Sequence, residues 1–264
     1  MNLRDIEGLS ELFARLEDMA SKADRGELAI SSFLTPREIH YAQKQLSKMG
    51  RRYEFFGGYG DAERKRLYLL PDYMADGEFL QIVEDFGFSD EITAIEIAGS
   101  GYRELTHRDF LGSLLGLGLE RAVIGDIVVF DDAKIKAVAF CDSRIAEFVL
   151  QTLEKVATDK VKVRAVDVSK IQLPTRRFMP ISDTVASPRL DSIVASLCSL
   201  SRSKASEIVL GGLVELDFEI EDRTDRTVEG GAIISVRGYG KFRIHSVGDL
   251  TRKGRYRLVA DKYV

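Results

Sequence analysis

Residues 189–214 read RLDSIVASLCSLSRSKASEIVLGGLV, two short helical patterns and a stop. In the first, Leu190, Ile193, Val194, Leu197 and Cys198 recur at three- and four-residue spacing, which gathers them on one helix face. Asp191 falls in the first turn, where a carboxylate meets the positive end of the helix dipole. Ser199-Leu200 ends this helix. Ser201 is a good N-cap type, because its hydroxyl accepts from an unpaired amide of the next turn. It predicts a second helix over Arg202–Leu210, packed through Ala205, Ile208 and Val209 and stopped by Gly211-Gly212. Leu213, Val214, Leu216, Phe218 and Ile220 then alternate with acidic residues and predict one strand. Gly230-Gly231 turns the chain into a strand over 232–237, and Gly238-Tyr239-Gly240 turns it again into Lys241-Phe242-Arg243-Ile244. Two short helices followed by a small sheet are expected over 188–264.

Upstream of this unit, Pro174, Pro180 and Ser187-Pro188 bracket a serine-containing stretch, so 173–187 is expected to be a linker. Before it, the order of elements is clear. Residues 92–98 alternate as a strand. Thr106 caps a helix with the apolar stripe Phe110, Leu111, Leu114, Leu115 and Leu119. Residues 127–130 and 135–140 are two strands joined by a turn at Asp131-Asp132-Ala133-Lys134. Ser143 caps a second helix through Ile145, Phe148, Val149, Leu153 and Val156, and Val161, Val163 and Ala165 mark a last strand. Strand-helix-strand-strand-helix-strand is the ferredoxin-like order. It places a βαββαβ domain at 79–172. Phe130 and Phe140 read there as core residues rather than as a base-stacking pair.

The remaining residues, 1–78, form a mixed α/β domain with its boundary near Asp76-Gly77. The opening Met1-Asn2-Leu3-Arg4-Asp5 starts an amphipathic pattern, which Leu9, Leu12, Phe13, Leu16 and Met19 continue as a helix. Thr35-Pro36 opens another. Phe55-Phe56-Gly57-Gly58-Tyr59-Gly60 is followed by Ala62-Glu63-Arg64-Lys65-Arg66. Two readings stand for this stretch. One is a hairpin with solvated charges; the other is a loop whose glycines let a phosphate approach. The Lys-Ser/Thr ending of a P-loop is absent. The whole chain is of the α+β class.

Composition narrows the function. The 264 residues are 45% hydrophobic and 30% charged, enough apolar content for packed cores. No apolar run approaches the 18 or so residues of a membrane helix, and the N-terminus has no signal core, so a cytoplasmic protein without membrane attachment is expected. Cys141 and Cys198 cannot build a disulfide framework. His40, His107 and His245 lie far apart with no metal spacing, so neither a metal nor another cofactor is expected. The net charge of −4 excludes a chain that binds nucleic acid over its whole surface, but not one with a local basic face. From Arg237 to Arg257 there are seven Lys and Arg against one acid, Asp249.

Two catalytic look-alikes fail on their surroundings. His107-Arg108-Asp109 has the order of the kinase catalytic triplet, but position 114 is Leu where Mg²⁺ needs Asn, and the phosphate loop is missing. Arg189-Leu190-Asp191 has the order found around the pseudouridine synthase aspartate, without the Gly- and Ser/Thr-rich loop that carries it. No enzyme activity is expected, and His107 and Arg108 remain as surface contacts for phosphate.

Arg189-Leu190-Asp191, Ser201-Arg202-Ser203-Lys204-Ala205, Gly212-Leu213-Val214 and Val236-Arg237-Gly238, in this order, resemble the S4 RNA-binding domain of ribosomal protein S4, tyrosyl-tRNA synthetases and pseudouridine synthases. The stretch from Phe56-Gly57-Gly58-Tyr59 to Arg66 resembles the YlmH family. So does His107-Arg108-Asp109-Phe110-Leu111-Gly112 with Gly116-Leu117-Gly118 and Ile124-Gly125-Asp126-Ile127. The resemblance implies an N-terminal domain, an RRM-like middle domain and a C-terminal S4 domain. It also implies a non-catalytic protein that binds large-subunit ribosomal RNA, with or without tRNA, in ribosome quality control. The family has a cell-division name as well. The implied RNA contacts are Arg189, Ser201, Arg202, Ser203, Lys204, Arg237, Tyr239, Lys241 and Arg243, with Arg64, Lys65, Arg66, His107 and Arg108 from the first two domains. The partners would be RNA and the ribosome, and the protein a monomer.

One departure concerns the strand after the second helix. Many S4 domains continue Val-x-Val-Asn-Gly; here the residues are Val214-Glu215-Leu216-Asp217-Phe218. Seven acids between Glu215 and Glu229 repel phosphate, so this segment is expected to face away from RNA or to touch a basic protein. Two other readings are an RNA-modifying enzyme that uses S4 for delivery, and a protein-interaction scaffold whose main surface is the acidic hairpin.

Overall fold

The computed structural model describes residues 9–74, 91–130, 135–174, 177–252 and 254–263. The opening pattern at residues 1–5, the boundary at Asp76-Gly77, the turn at 131–134 and Lys253 lie outside them. The chain divides into two compact units, Met1–Thr175 and Arg176–Val264. Among the described residues there are six α-helices, and none is long and apolar enough to cross a membrane.

The first unit holds two sheets. α1 (Ser10–Asp24) and α2 (Pro36–Met49) pack on a three-stranded antiparallel sheet of β1 (Ala29–Leu34), β2 (Tyr53–Phe56) and β3 (Lys65–Leu69), in the order β1-β3-β2. Thr35 and Glu38 form a reciprocal capping box, and Pro36 occupies the first helical turn, as the sequence predicts. Leu12, Phe13 and Leu16 of α1 meet Leu67 and Leu69 of β3 in the core.

The second sheet has the expected element order. β4 (Ile92–Gly99), α3 (His107–Gly116), β5 (Ile124–Val129), β6 (Lys136–Asp142), α4 (Ser143–Thr152), β7 (Lys155–Val156) and β8 (Asp159–Val166) give the strand order β5-β6-β4-β8-β7. Both helices cover one face, where Ile95, Ile97, Ala137 and Ala139 meet Phe110, Leu114, Ala146 and Val149. β7 adds an edge hairpin that the sequence pattern does not predict. The cap of α4 is also different: Asp142, not Ser143, accepts from the Arg144 amide at 3.0 Å. The Ser143 hydroxyl instead pairs with Thr93 at 2.8 Å.

The second unit is a six-stranded sheet, ordered β11-β10-β12-β13-β14-β9, with two helices on one face. Its strands are β9 (Phe178–Val185), β10 (Val214–Leu216), β11 (Glu219–Ile220), β12 (Ile233–Val236), β13 (Gly240–Leu250) and β14 (Tyr256–Tyr263). The helices are α5 (Leu190–Leu197) and α6 (Arg202–Leu210). Two expectations fail here. Much of the expected linker is β9, which pairs with β14 along its whole length. Pro180 fits because β9 is an edge strand, where a residue without an amide hydrogen is tolerated. The single strand expected over 213–220 is a tight hairpin. Asp217 and Phe218 both have positive φ, 50° and 70°, and Leu216 pairs with Glu219 across them. Two consecutive left-handed residues make a primed turn, the geometry that Asn-Gly usually supplies. Asp217 holds the turn by accepting from the Ile233 amide at 2.9 Å.

Candidate nucleic-acid interface

The junction of α5 and α6 is set by local chain geometry. Ser199 has φ 54°, the Ser199 amide donates to Ser196 and the Leu200 amide to Ala195, closing α5 with a Schellman turn. The turn brings Arg202, at the start of α6, back over Asp191, in the first turn of α5. Asp191 is 3% exposed. Its carboxylate accepts two bonds from Arg189 and one from Arg202, each at 3.2 Å, and one from the Ser192 amide at 2.8 Å. Burial alone would push this carboxyl up. The hydrogen bonds and charges of Arg189 and Arg202 outweigh burial and hold it below the usual carboxylate range.

Two arginines on one ionised carboxylate leave a net charge of about +1. Their side chains remain 40% and 53% exposed, and Asp191 uses only part of the five N–H groups on each. The acid thus halves the local charge and fixes two guanidiniums in place. Lys204 is exposed and pairs with Glu207 at 2.8 Å, Ser203 is exposed, and the Ser201 hydroxyl accepts from the Lys204 amide. Arg237 is exposed in the turn between β12 and β13. Tyr239, in the same turn, is half-buried against the helix core and within electrostatic reach of Lys204.

Lys241 and Arg243 do not join this set. Phe242 and Ile244, which alternate with them on β13, are fully buried under the helices, so Lys241 and Arg243 point to the opposite face of the sheet. There Lys241 Nζ lies 4.9 Å from the Tyr263 ring centre, and the Arg243 guanidinium 5.6 Å from that of Phe178.

The acidic segment folds against the start of α5: the Arg226 carbonyl accepts from the Leu190 amide at 2.8 Å, and that of Thr224 from the Asp191 amide at 3.1 Å. These amides are therefore filled by the protein's own loop and cannot seat a phosphate. Glu221 spends its charge on Arg223, at 2.9 Å, and Arg226, at 3.6 Å.

In the first unit Arg64 and Arg66 are buried, so they fit neither the solvated hairpin nor the phosphate loop. Arg64 is 8% exposed, and its guanidinium donates to the carbonyls of Ile124, Phe33 and Arg121 at 3.0–3.1 Å. Arg66 is 3% exposed and is held by Ser31, Glu91 and Asp142. Neither can reach RNA, and both leave the candidate set; Lys65 is half-buried at the start of β3. Asp126 organises the loop by accepting from the Tyr59 hydroxyl at 2.9 Å and the amides of Glu63 and Arg64 at 2.7 and 3.0 Å. Gly58, at φ 95°, lies so close to Phe140 that a Cβ would meet its ring at 2.5 Å. His107 and Arg108 are exposed in the first turn of α3, which Thr106 and Asp109 cap reciprocally. Partial desolvation and the charge of Arg121 push the His107 imidazole below its ordinary value.

Residues 84–170 match a family described as "Putative RNA-binding domain in YlmH". A Bacillus subtilis (strain 168) protein named "Ribosome-associated protein quality control protein P2" is 30% identical over 236 residues, spanning 89% of this chain and 87% of the relative. The chain belongs to the YlmH family. A solved structure, the cell division protein YlmH from Streptococcus pneumoniae, shares the fold at TM-score 0.50 and 24% identity, over 64% of this chain and 96% of that one. The family match includes β4 through β8, with His107 and Arg108 inside it and the Arg189–Asp191–Arg202 clamp outside it.

The clamp escapes sequence reading because a first-turn Asp is already explained by the helix dipole. Its signal was present: an arginine two residues before Asp191 and a second arginine at the next helix start. Asp126 was missed although it sits in one of the segments that carry the family resemblance.

Proposed function

We propose that this chain is a non-catalytic, cytoplasmic RNA-binding factor that works on the ribosome. Its C-terminal unit is read as an S4 module and its five-stranded sheet as RRM-like. The target is structured RNA of the large subunit, with tRNA as a second contact, in ribosome quality control. The membership in a family whose matched segment is described as RNA-binding supports this reading, as does the ribosomal name of the Bacillus relative.

The observation that carries it is the clamp at Asp191. A buried carboxylate that holds two half-exposed guanidiniums orients donors without hiding them. Arginine forks match phosphate oxygens, and phosphate contacts supply affinity while RNA shape supplies selectivity. Lys204 and Ser203 follow Arg202 in the same turn of α6, and Arg237, exposed between β12 and β13, is read as a further contact, with His107 and Arg108 as contacts from the first unit.

The test is a salt titration on large-subunit ribosomal RNA. Arg189→Gln, Arg202→Gln and Lys204→Gln are combined, since Gln keeps a donor for Asp191. The triple variant is expected to bind more weakly, with the slope of log affinity against log salt flatter by up to about one unit per lost contact. Unchanged affinity and slope would remove this face from the function.

A further inference from the structure

Within the C-terminal unit, the clamp adjoins an open groove of about 440 Å³. Its walls are the α5–α6 junction and the residues at the end of β9. Arg202 belongs to both clamp and groove, and Arg255 also lines the groove. The Arg255 guanidinium is fixed by Thr184, through the hydroxyl at 3.0 Å and through the carbonyl. Ser199 and Thr184 add hydroxyls, and Asp183 adds one carboxylate, which accepts from the Thr184 amide at 2.7 Å and from the Ser196 hydroxyl.

Three features select the occupant. Two guanidiniums line the groove, each held by its own partner, and both can donate to a phosphate. Asp183 repels a second phosphate and accepts from a hydroxyl or amino group. The volume suits a single small ligand but not a stacked base pair, and a paired nucleotide would have to give up its pairing and stacking to enter, which an unpaired one does not. RNA is read by proteins mainly where its bases are unpaired and splayed out. We propose that this groove holds one unpaired nucleotide of the bound RNA, its phosphate on Arg202 and Arg255 and a ribose or base donor on Asp183. The inference rests on the RNA-binding reading above and names the feature that the C-terminal unit selects.

Two hairpin RNAs of identical stem test it, one fully paired and one with a single bulged nucleotide. The full chain is titrated with each, as wild type, as Arg255→Ala and as Ala186→Trp. Arg255 and Ala186 are both exposed, so neither change touches the core; the tryptophan fills the groove while the alanine removes its charge. Wild type is expected to bind the bulged hairpin about tenfold more tightly, and both variants to lose this preference while keeping their affinity for the paired hairpin. Equal wild-type affinity for the two hairpins overturns the groove and leaves the RNA-binding reading standing. Retention of the preference by both variants does the same. Failure of wild type to bind either hairpin overturns both.

Discussion

Arg202 Nε lies 3.2 Å from Asp191 Oδ2, across the turn that joins α5 to α6. Because Arg189 shares the same carboxylate, Asp191 decides where both guanidiniums point. This separates charge from position. Asp191→Asn makes the unit more positive by one charge, and net charge alone would then tighten RNA binding. Loss of orientation predicts the opposite: affinity lower by about tenfold, with stability reduced by about 1–2 kcal/mol after allowing for the exposure of the two arginines. Fluorescence anisotropy with RNA and a thermal melt measure the two effects, and tighter binding by the variant would contradict the clamp.

The same carboxylate gives the C-terminal unit an acid limit. The Asp191 pKa is lower folded than unfolded, because Arg189 and Arg202 outweigh burial. Its contribution is therefore fully present above the unfolded value of about 3.9 and is lost as pH falls through the lower folded value. Melting curves from pH 6 down to pH 3 are expected to show wild type losing stability faster than Asp191→Asn below about pH 4. Parallel curves would mean that the carboxylate titrates alike in both states.

Arg64 behaves as a structural residue. Its guanidinium ties Phe33, at the end of β1, to Arg121 ahead of β5 and to Ile124, the first residue of β5, so it links the two sheets of the first unit. Arg64→Ala removes three buried hydrogen bonds to these carbonyls and is expected to cost about 2–4 kcal/mol. Arg64→Lys recovers only part of this, since an ammonium lacks the fork. RNA affinity of the folded fraction should not change. Chemical denaturation followed by binding at a permissive temperature resolves the two, and normal stability with weaker binding would return Arg64 to the RNA contacts.

Helices, caps and strand order were readable because they depend on residues close in sequence. Thr35, Thr106 and Ser201 cap the helices that they open, and the alternation at residues 92–98 marks a strand of the five-stranded sheet. What failed depends on distant partners. Pro180 reads as a linker residue unless β14 is known to lie beside it. Arg64 and Arg66 read as surface charges because nothing nearby shows that carbonyls of β1 and a carboxylate of β6 will surround them. Gly58, Gly125 and Asp126, in the segments that resemble the YlmH family, are explained by the fit between two sheets: Gly58 meets Phe140, Gly125 meets Phe33 and Asp126 holds the loop. At these positions the recognisable motifs mark packing.

Alternation along β13 divides the basic residues of the C-terminal unit between two faces. Phe242 and Ile244 enter the core, so Lys241 and Arg243 stand on the side away from α5 and α6. An RNA hairpin short enough to cover one face cannot touch both sets. Lys241→Ala with Arg243→Ala is therefore expected to leave the affinity and salt slope for such a hairpin nearly unchanged, whereas Arg189→Gln with Arg202→Gln flattens the slope by about one to two units. Both pairs change the charge by the same amount, so long-range attraction cancels in the comparison and contact remains. If the β13 pair lowers the slope as much as the helix pair, the RNA is held by the outer sheet face, and the clamp at Asp191 serves stability alone.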